Sequence, residues 1–445
     1  MRNLLAMLLI AGAASAALTS AAAAEPAPAP RAAVAAVDVK AVVAEVRRVL
    51  SENYVLGEVR PKLDAALAKG LAAGRYSVSD PAILSERINA DLSEVAHDKH
   101  LGIQYDPKTA AWLAAQPPED DDAEAAPTPE EMRQAQLRNH GLAELKVLPG
   151  NVRYLDMDGF MWVGRKSAEA YDMAARFLKD GDAVIIDLRR NGGGSPDAVQ
   201  YLISHFLAPN TPLVTFHMGA NKVNRLAALP ALPAGRMVGK PLYVLISGRT
   251  GSAAEEFAGH VAGYKLGELI GETTAGAGFR NQFFAIPGGY LLSVSVGRAV
   301  LASTGGDWEG RGISPTSPVA VDKALQVAQV HALQRLAGTA PAGEKPGIEA
   351  RVALLAAQIT PVATALPLAA YAGTFGDRTV LLEDGRLALQ RKGGAKLVMV
   401  PIGPNRFALE ADAATQVEFS VSGSVASGLE LIRSDGSRVT ATRTS

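Results

Sequence analysis

The sequence predicts an α/β core preceded by a small helical bundle and followed by an all-β domain. Three observations predict it. Apolar residues recur at helical spacing from Val37 to about Val95, apolar strands alternate with amphipathic helices from Gly150, and past Tyr371 only strand and turn signals remain. At 445 residues, 48% of them hydrophobic, the chain is long enough for two or three domains and a sizeable buried core.

The chain opens MRNLLAMLLIAGAASAALTSAAAAEPAPAP, with Arg2 before an apolar stretch and small residues before Glu25. This is the three-part layout of a secretory signal, with cleavage expected near Ala24. The apolar stretch is short, Ala-rich and broken by Ser15, Thr19 and Ser20, which suits removal better than retention as a membrane anchor. Residues 1–24 are therefore expected to be a signal peptide and 25–36, rich in Ala and Pro, a tether that cannot bury enough surface to fold. The absence of cysteine excludes disulfides, thiolate zinc sites, a cysteine nucleophile and a lipid-modified cysteine, so an exported chain of this kind suggests a bacterial periplasm. With 44 basic and 45 acidic residues there is no global field to favour nucleic acid or an anionic membrane; neither is expected as a partner, nor is a stable membrane anchor or a cofactor.

The helical region, 37–104, contains VDVKAVVAEVRRVLSENY, VRPKLDAALAKGLAAG and PAILSERINADLSEVA, the last with Asp80 as N-cap and Pro81 at the first helical position. Residues 105–149 form a connector holding the acidic, Pro-broken stretch 117–131, expected to be exposed and mobile. The core, 150–336, runs VRYLDMDGF, SAEAYDMAARFLKD, AVIIDLR, SPDAVQYLISHFL, PLYVLIS and SAAEEFAGHVAGY. A hairpin then turns at Pro287, Gly288 and Gly289, and DKALQVAQVHALQRL closes the unit. A linker and short helix, 337–366, lead to the β-domain, 367–445, a barrel or sandwich in which Tyr371, Phe375 and Phe407 are expected in the core.

Two strand-to-helix junctions have unusual loops. In AVIIDLRRNGGGSPDA an apolar strand ends at Asn191-Gly192-Gly193-Gly194, and Ser195-Pro196 opens a helix. Such a glycine run marks either a tight turn or a close approach of main chain to a ligand, and its amides could bind developing negative charge. A phosphate loop is disfavoured, since neither GxxxxGK[ST] nor GxGxxG is present. In PLYVLISGRTGSAAEEF, Ser252 falls at the first turn of a helix beside Gly251 and two alanines. Alone it is either an N-cap or a nucleophile with the Ala253 amide aimed at an oxyanion. Parallel strands bring both loops to one sheet edge, where Gly193 and Ala253 amides could flank a carbonyl that faces Ser252.

AVIIDLRRNGGG, GSAAEEF, GELIGETTAG and WEGRGISPTSPV, in that order, resemble the tail-specific or C-terminal processing serine peptidases. Within these the chain is most similar to the branch that resembles interphotoreceptor retinoid-binding protein and the tricorn protease core. The likeness runs from about Val39 to Leu336 and includes the ENYV and DKHLGI segments. It implies a crotonase-like (ClpP-like) ββα core and a peptide or unfolded-protein substrate. The processing-peptidase branch carries its general base in a GKG element, which here reads Gly276-Ala277-Gly278, and no PDZ domain is recognisable between His100 and Gly150. The tricorn-like branch uses a histidine, a serine and a glutamate, which places the base on His100, the nucleophile on Ser252 and the acid on Glu309. Lys99 stands where that branch often has serine.

On the residues alone, His100 is one of seven histidines and a surface or structural role is favoured for it; a metal cluster with His97 and Asp98 is disfavoured, because no HExxH-type spacing follows. Glu255 and Glu256 read as ordinary helix carboxylates. The expected function is a periplasmic serine peptidase acting through a Ser252 acyl-enzyme. A non-catalytic carrier of a retinoid-like or lipid ligand, or an esterase using the same serine, remain the alternatives on this fold.

Overall fold

The computed structural model describes residues 38–116, 127–218 and 222–444. The segments expected to be a signal peptide and a tether, and most of the acidic stretch, lie outside the described residues. Helices α1 (Val39–Asn53), α2 (Arg60–Ala72) and α3 (Pro81–Ala96) come first, followed by the short strand β1 (Gly102–Tyr105). Local chemistry sets their starts: Asp38 accepts from the Ala41 amide at 3.1 Å and Asp80 from the Ala82 amide at 2.8 Å, with Pro81 behind it. The bundle does not close a core by itself. Val43, Val46, Leu63 and Ile88 pack with Tyr290, Leu292 and Val294, residues that follow more than 200 positions later.

Helices α4 (Pro107–Ala114) and α5 (Pro129–Leu137) and strand β2 (Leu142–Leu148) fill the connector. Residues 129–131, read from sequence as part of a mobile insertion, are instead the first turn of α5. A capping box, with Thr128 and Glu131 each satisfying the other's backbone amide, overrides the acidic composition there.

The central layers are β3 (Val152–Met157), α6 (Arg165–Lys179), β4 (Ala183–Asp187), α7 (Pro196–Ser204), β5 (Pro212–Met218), β6 (Lys222–Ala227), β7 (Leu242–Ile246), α8 (Ala253–Gly263), β8 (Glu268–Gly271), β9 (Phe279–Ile286), β10 (Tyr290–Leu301), β11 (Ser317–Pro318) and α9 (Ala324–Ala337). One sheet has the order β11-β8-β7-β4-β3-β2, parallel throughout except for β2, which runs antiparallel to β3. Every residue of β4 and β7 is buried, because both faces are covered. Val184 and Ile186 face α6, α7 and α8, while Ile185 faces the alanines of α9. In the second sheet β10 pairs with β9, β1 and β5, and β5 with β6. The turn between β9 and β10 falls at residues 287–289, as the sequence predicts.

Helix α10 (Lys345–Ile359) leads to a meander of β12 (Gly373–Phe375), β13 (Arg378–Glu383), β14 (Arg386–Arg391), β15 (Lys396–Gly403), β16 (Arg406–Leu409), β17 (Asp412–Ser422), β18 (Val425–Arg433) and β19 (Arg438–Thr442). Each strand pairs with the next. A bridge between Phe375 and Arg443, and the Thr444 amide on the Thr374 carbonyl at 2.8 Å, join last strand to first and make the domain a barrel. Tyr371, Phe375 and Phe407 fill it, fully buried, as expected. The chain is thus mixed α/β with a helical N-terminal region and an antiparallel all-β barrel at its C-terminal end.

Candidate active site

Strand β4 ends in a fixed corner. The Asp187 carboxylate accepts from the Tyr154 hydroxyl at 2.8 Å and from Arg189 Nη2 at 2.6 Å, and Arg189 Nη1 donates to the Val321 carbonyl. The chain then turns through the glycines, of which Gly192 and Gly194 are exposed. The Phe160 amide donates to the Gly193 carbonyl at 2.8 Å, and the Ser195 amide to the Phe160 carbonyl at 2.7 Å. Ser195 caps α7 through the Asp197 amide, with Pro196 behind it, as the sequence predicts.

The second loop is stitched onto the first. Ser247 Oγ donates to the Arg189 carbonyl and Thr250 Oγ1 to the Leu188 carbonyl, each at 2.7 Å, and the Gly251 amide reaches the Asn191 carbonyl at 3.1 Å. Gly193, at φ 109°, closes against this corner: a Cβ there would stand 2.8 Å from the Ser252 Cβ and 3.0 Å from the Ala253 nitrogen. The two glycine-flanked junctions therefore meet, as the parallel strands require.

Ser252 has φ 52° and ψ −122°. An ordinary N-cap is extended, and a non-glycine residue in this conformation costs about 1–3 kcal/mol of strain, which persists only where neighbours enforce it. The enforcing residue is Glu255. It is fully buried, and its carboxylate accepts from the Ser252 amide (2.8 Å), the Ala277 amide (2.8 Å), the Gly276 amide (2.6 Å) and Thr274 Oγ1 (2.6 Å). The expectation that Glu255 is an ordinary helix carboxylate is thereby corrected, and the signal for its role was the capping-box spacing Ser252-x-x-Glu255. Glu256 is corrected likewise: it is buried, with Oε1 3.5 Å from the equally buried His260 Nε2. Ala277, where the related branch has lysine, is buried, and its carbonyl takes the Trp308 indole N–H at 3.1 Å.

The third component comes from the helical region. Helix α3 ends at His97 in the left-handed conformation. Asp98 Oδ1 then accepts from the His100 amide at 2.8 Å, and Ser293 Oγ of β10 donates to the His100 carbonyl at 2.5 Å. Lys99 Nζ donates to the Ala275 carbonyl, and the Ala275 amide in turn donates to the Thr250 carbonyl at 2.9 Å, two residues before Ser252. Lys99 thus ties residues 98–100 to the loop that carries Ser252.

His100 Nδ1 is out of solvent and has no hydrogen-bond partner among the described residues. Burial holds this imidazole below the usual histidine range, and the Asp98 charge works against the shift. Glu309 was expected to be the acid partner of His100, but its Oε2 accepts from the Gly278 amide at 2.5 Å and the Phe279 amide at 2.8 Å instead. The carboxylate whose charge bears on His100 is Asp98, which sits in the same tight turn and which the sequence offered only as a metal ligand. Burial raises Glu309 to about 7; the Gly278 amide opposes this, the Asp98 charge reinforces it, the Phe279 amide opposes it and the Glu255 charge adds to it. Burial, and then the Asp98 charge, also push the Tyr54 phenol up, so Tyr54, Asp98, His100 and Glu309 form one electrostatic cluster.

Of the two predicted oxyanion donors, the Gly193 amide is engaged by Asn191 Oδ1 at 2.9 Å. The Ala253 amide, at the first position of α8, has no helical acceptor. Among the described residues no group of three or more His, Asp or Glu is placed to hold a metal ion, and no helix is long and apolar enough to cross a membrane.

Comparison with known proteins follows the same division of the chain. Residues 151–319 match peptidase family S41, and residues 33–141 match the N-terminal domain of that peptidase in eukaryotic IRBP. A carboxyl-terminal-processing protease of Synechocystis sp. is 29% identical over 147 residues, which cover 32% of this chain and 33% of that relative. A lipoprotein from Streptococcus agalactiae is similar at 15% identity, covering 67% of this chain and 96% of the other, with a TM-score of 0.46. The photosystem II D1 C-terminal processing protease aligns at 17% identity over 64% of this chain and 94% of its own, with a TM-score of 0.40. With its helical region and its core matched in order, and its motifs converging on one strained serine, the chain belongs to peptidase family S41.

Proposed function

We propose that this chain is a periplasmic serine peptidase whose nucleophile is Ser252. The observation that carries the proposal is the Ser252 backbone, held at φ 52° with Gly193 against it. In this reading Ser252 Oγ attacks the scissile carbonyl carbon while its proton passes to His100, kept neutral by burial. The Ala253 amide binds the oxyanion, and the Gly193 amide joins it by sharing its hydrogen between Asn191 and the oxyanion. The His100 imidazolium, stabilised by Asp98, returns the proton to the leaving amine. Water then attacks the acyl-Ser252 ester by the same route and restores the free serine. Glu309, with a pKa near neutrality, is the member of the cluster suited to buffer the proton.

Intact-mass measurement after exposure to a fluorophosphonate tests the assignment. One adduct is expected on the native protein and none on Ser252→Ala; no adduct on the native protein, or an equal one on the variant, refutes it. The layout of residues 1–24 supports export, so protein recovered from the periplasm is expected to begin near Glu25.

A further inference from the structure

Strand β2 is the outer strand of the six-stranded sheet, and among the described residues nothing pairs with its free side. From Ala143 to Val147 every residue is exposed, so the strand is open on both faces as well as along its edge. Leu145 (38% exposed) and Val147 (55%) share one face, and Glu144 and Lys146, whose charges lie 3.6 Å apart, share the other. A free, apolar edge is a template for another strand, and proteins usually blunt it with an unmatched lysine.

In LAELKVL the lysine is not unmatched. We propose that β2 pairs antiparallel with β2 of a second copy of this chain, about a two-fold axis through Leu145. The pleat allows only registers in which opposing side chains share a face, so a symmetric pair is centred on a residue, and in the strand Leu142–Leu148 the overlap is longest with the centre on 144, 145 or 146. Centring on 144 sets Glu144 against its own copy, and centring on 146 sets Lys146 against its own; both are repulsive. Centring on 145 sets Glu144 opposite Lys146 of the second copy, and the reverse, with Leu145 against Leu145 on the other face. Charge complementarity therefore selects one register. The regular pairing of β2 with β3 from Glu144 to Leu148 keeps this stretch straight, and the register shift between Leu142 and Glu144 ends it.

The result is one continuous sheet across two copies. Since the two copies of β2 run antiparallel, the parallel strands of the two halves run in opposite directions, and the two Ser252 junctions lie at opposite edges of the joined sheet. A single edge strand buries less than the roughly 1,200 Å² of a standard interface, so the dimer is weak and concentration-dependent. Its formation does not rest on the catalytic reading.

Sedimentation velocity over about 1–200 μM is the test, bracketing a dissociation constant in the micromolar range. The native chain is expected to pass from monomer to dimer. Glu144→Lys and Lys146→Glu, each creating two like-charge pairs, are expected to weaken the dimer about tenfold or more, and the double exchange E144K/K146E to restore it, with unchanged circular dichroism and per-subunit activity throughout. The chain has no cysteine, so Leu145→Cys introduces a lone thiol that oxidation should join across the axis. Val147→Cys should fail, because four residues of strand, about 14 Å, separate the two copies of that position. Any of three results overturns the proposal: a monomer at every concentration, single exchanges that leave the dimer intact, or an edge that takes an unrelated extended peptide but not a second copy.

Discussion

A methyl group on Gly193 would lie 2.8 Å from the Ser252 Cβ, closer than side-chain carbons approach one another. The glycine also sits at φ 109°, a conformation an L-residue resists. Gly193→Ala is therefore expected to push the 191–194 loop off Ser252. The rate of fluorophosphonate labelling should fall about a hundredfold or more, the scale of losing an oxyanion donor, with a stability loss of only about 1–3 kcal/mol.

Glu255 makes a separate prediction. Four donors converge on its two oxygens, and the amide nitrogen of Glu255→Gln can accept from none of those it faces. The variant is expected to lose about 2–4 kcal/mol in urea unfolding, because buried donors are left unpaired. Labelling of Ser252 should fall too, since its strained backbone loses the group that holds it. Normal labelling in a destabilised variant would separate the structural role from the positioning role.

With His100 as the proposed base, the pH dependence of kcat/KM follows from its imidazole. Only the neutral imidazole takes a proton, and burial favours the neutral form, so activity should rise with pH through a midpoint below the ordinary 6.5. Asp98 opposes the burial shift, so Asp98→Asn is expected to move that midpoint further toward acid. A shift toward alkaline pH would show that Asp98 acts otherwise.

Glu309 behaves in the opposite sense. Its pKa rises on folding from 4.5 to about 7, so the folded state holds this proton more tightly than the unfolded chain. The stabilisation is complete below pH 4.5 and is lost as pH rises through 7. Glu309→Gln keeps the neutral shape at every pH; its Tm should match the native value near pH 4 and exceed it near pH 8. Equal melting temperatures at both pH values would mean that the carboxyl titrates normally.

Much of this architecture was legible in local sequence because local chemistry decides it. Asp80-Pro81 and Ser195-Pro196 start helices where predicted, the Pro287 turn forms its hairpin, and the all-buried β4 and β7 read as continuous apolar runs. The Ser252 junction was found because both glycine loops end parallel strands. Long-range features escaped: β10 completes the core of the helical region, and the choice of barrel over sandwich depends on contacts such as Phe375 with Arg443. Strands β2 and β6 mix apolar and charged residues too evenly to announce their type. Asp98 and Glu255 were passed over because a carboxylate's role depends on what burial places around it.

The bond from Ser293 to the His100 carbonyl joins residues 193 positions apart, and it has a consequence in time. During synthesis Ser252 leaves the ribosome before β10, the strand against which β1 and the 98–100 corner are seated. A nascent chain thus carries Ser252 for some forty residues of elongation before the strand that seats residues 98–100 has been made, so the three loops of the site can come together only late in the life of the growing chain.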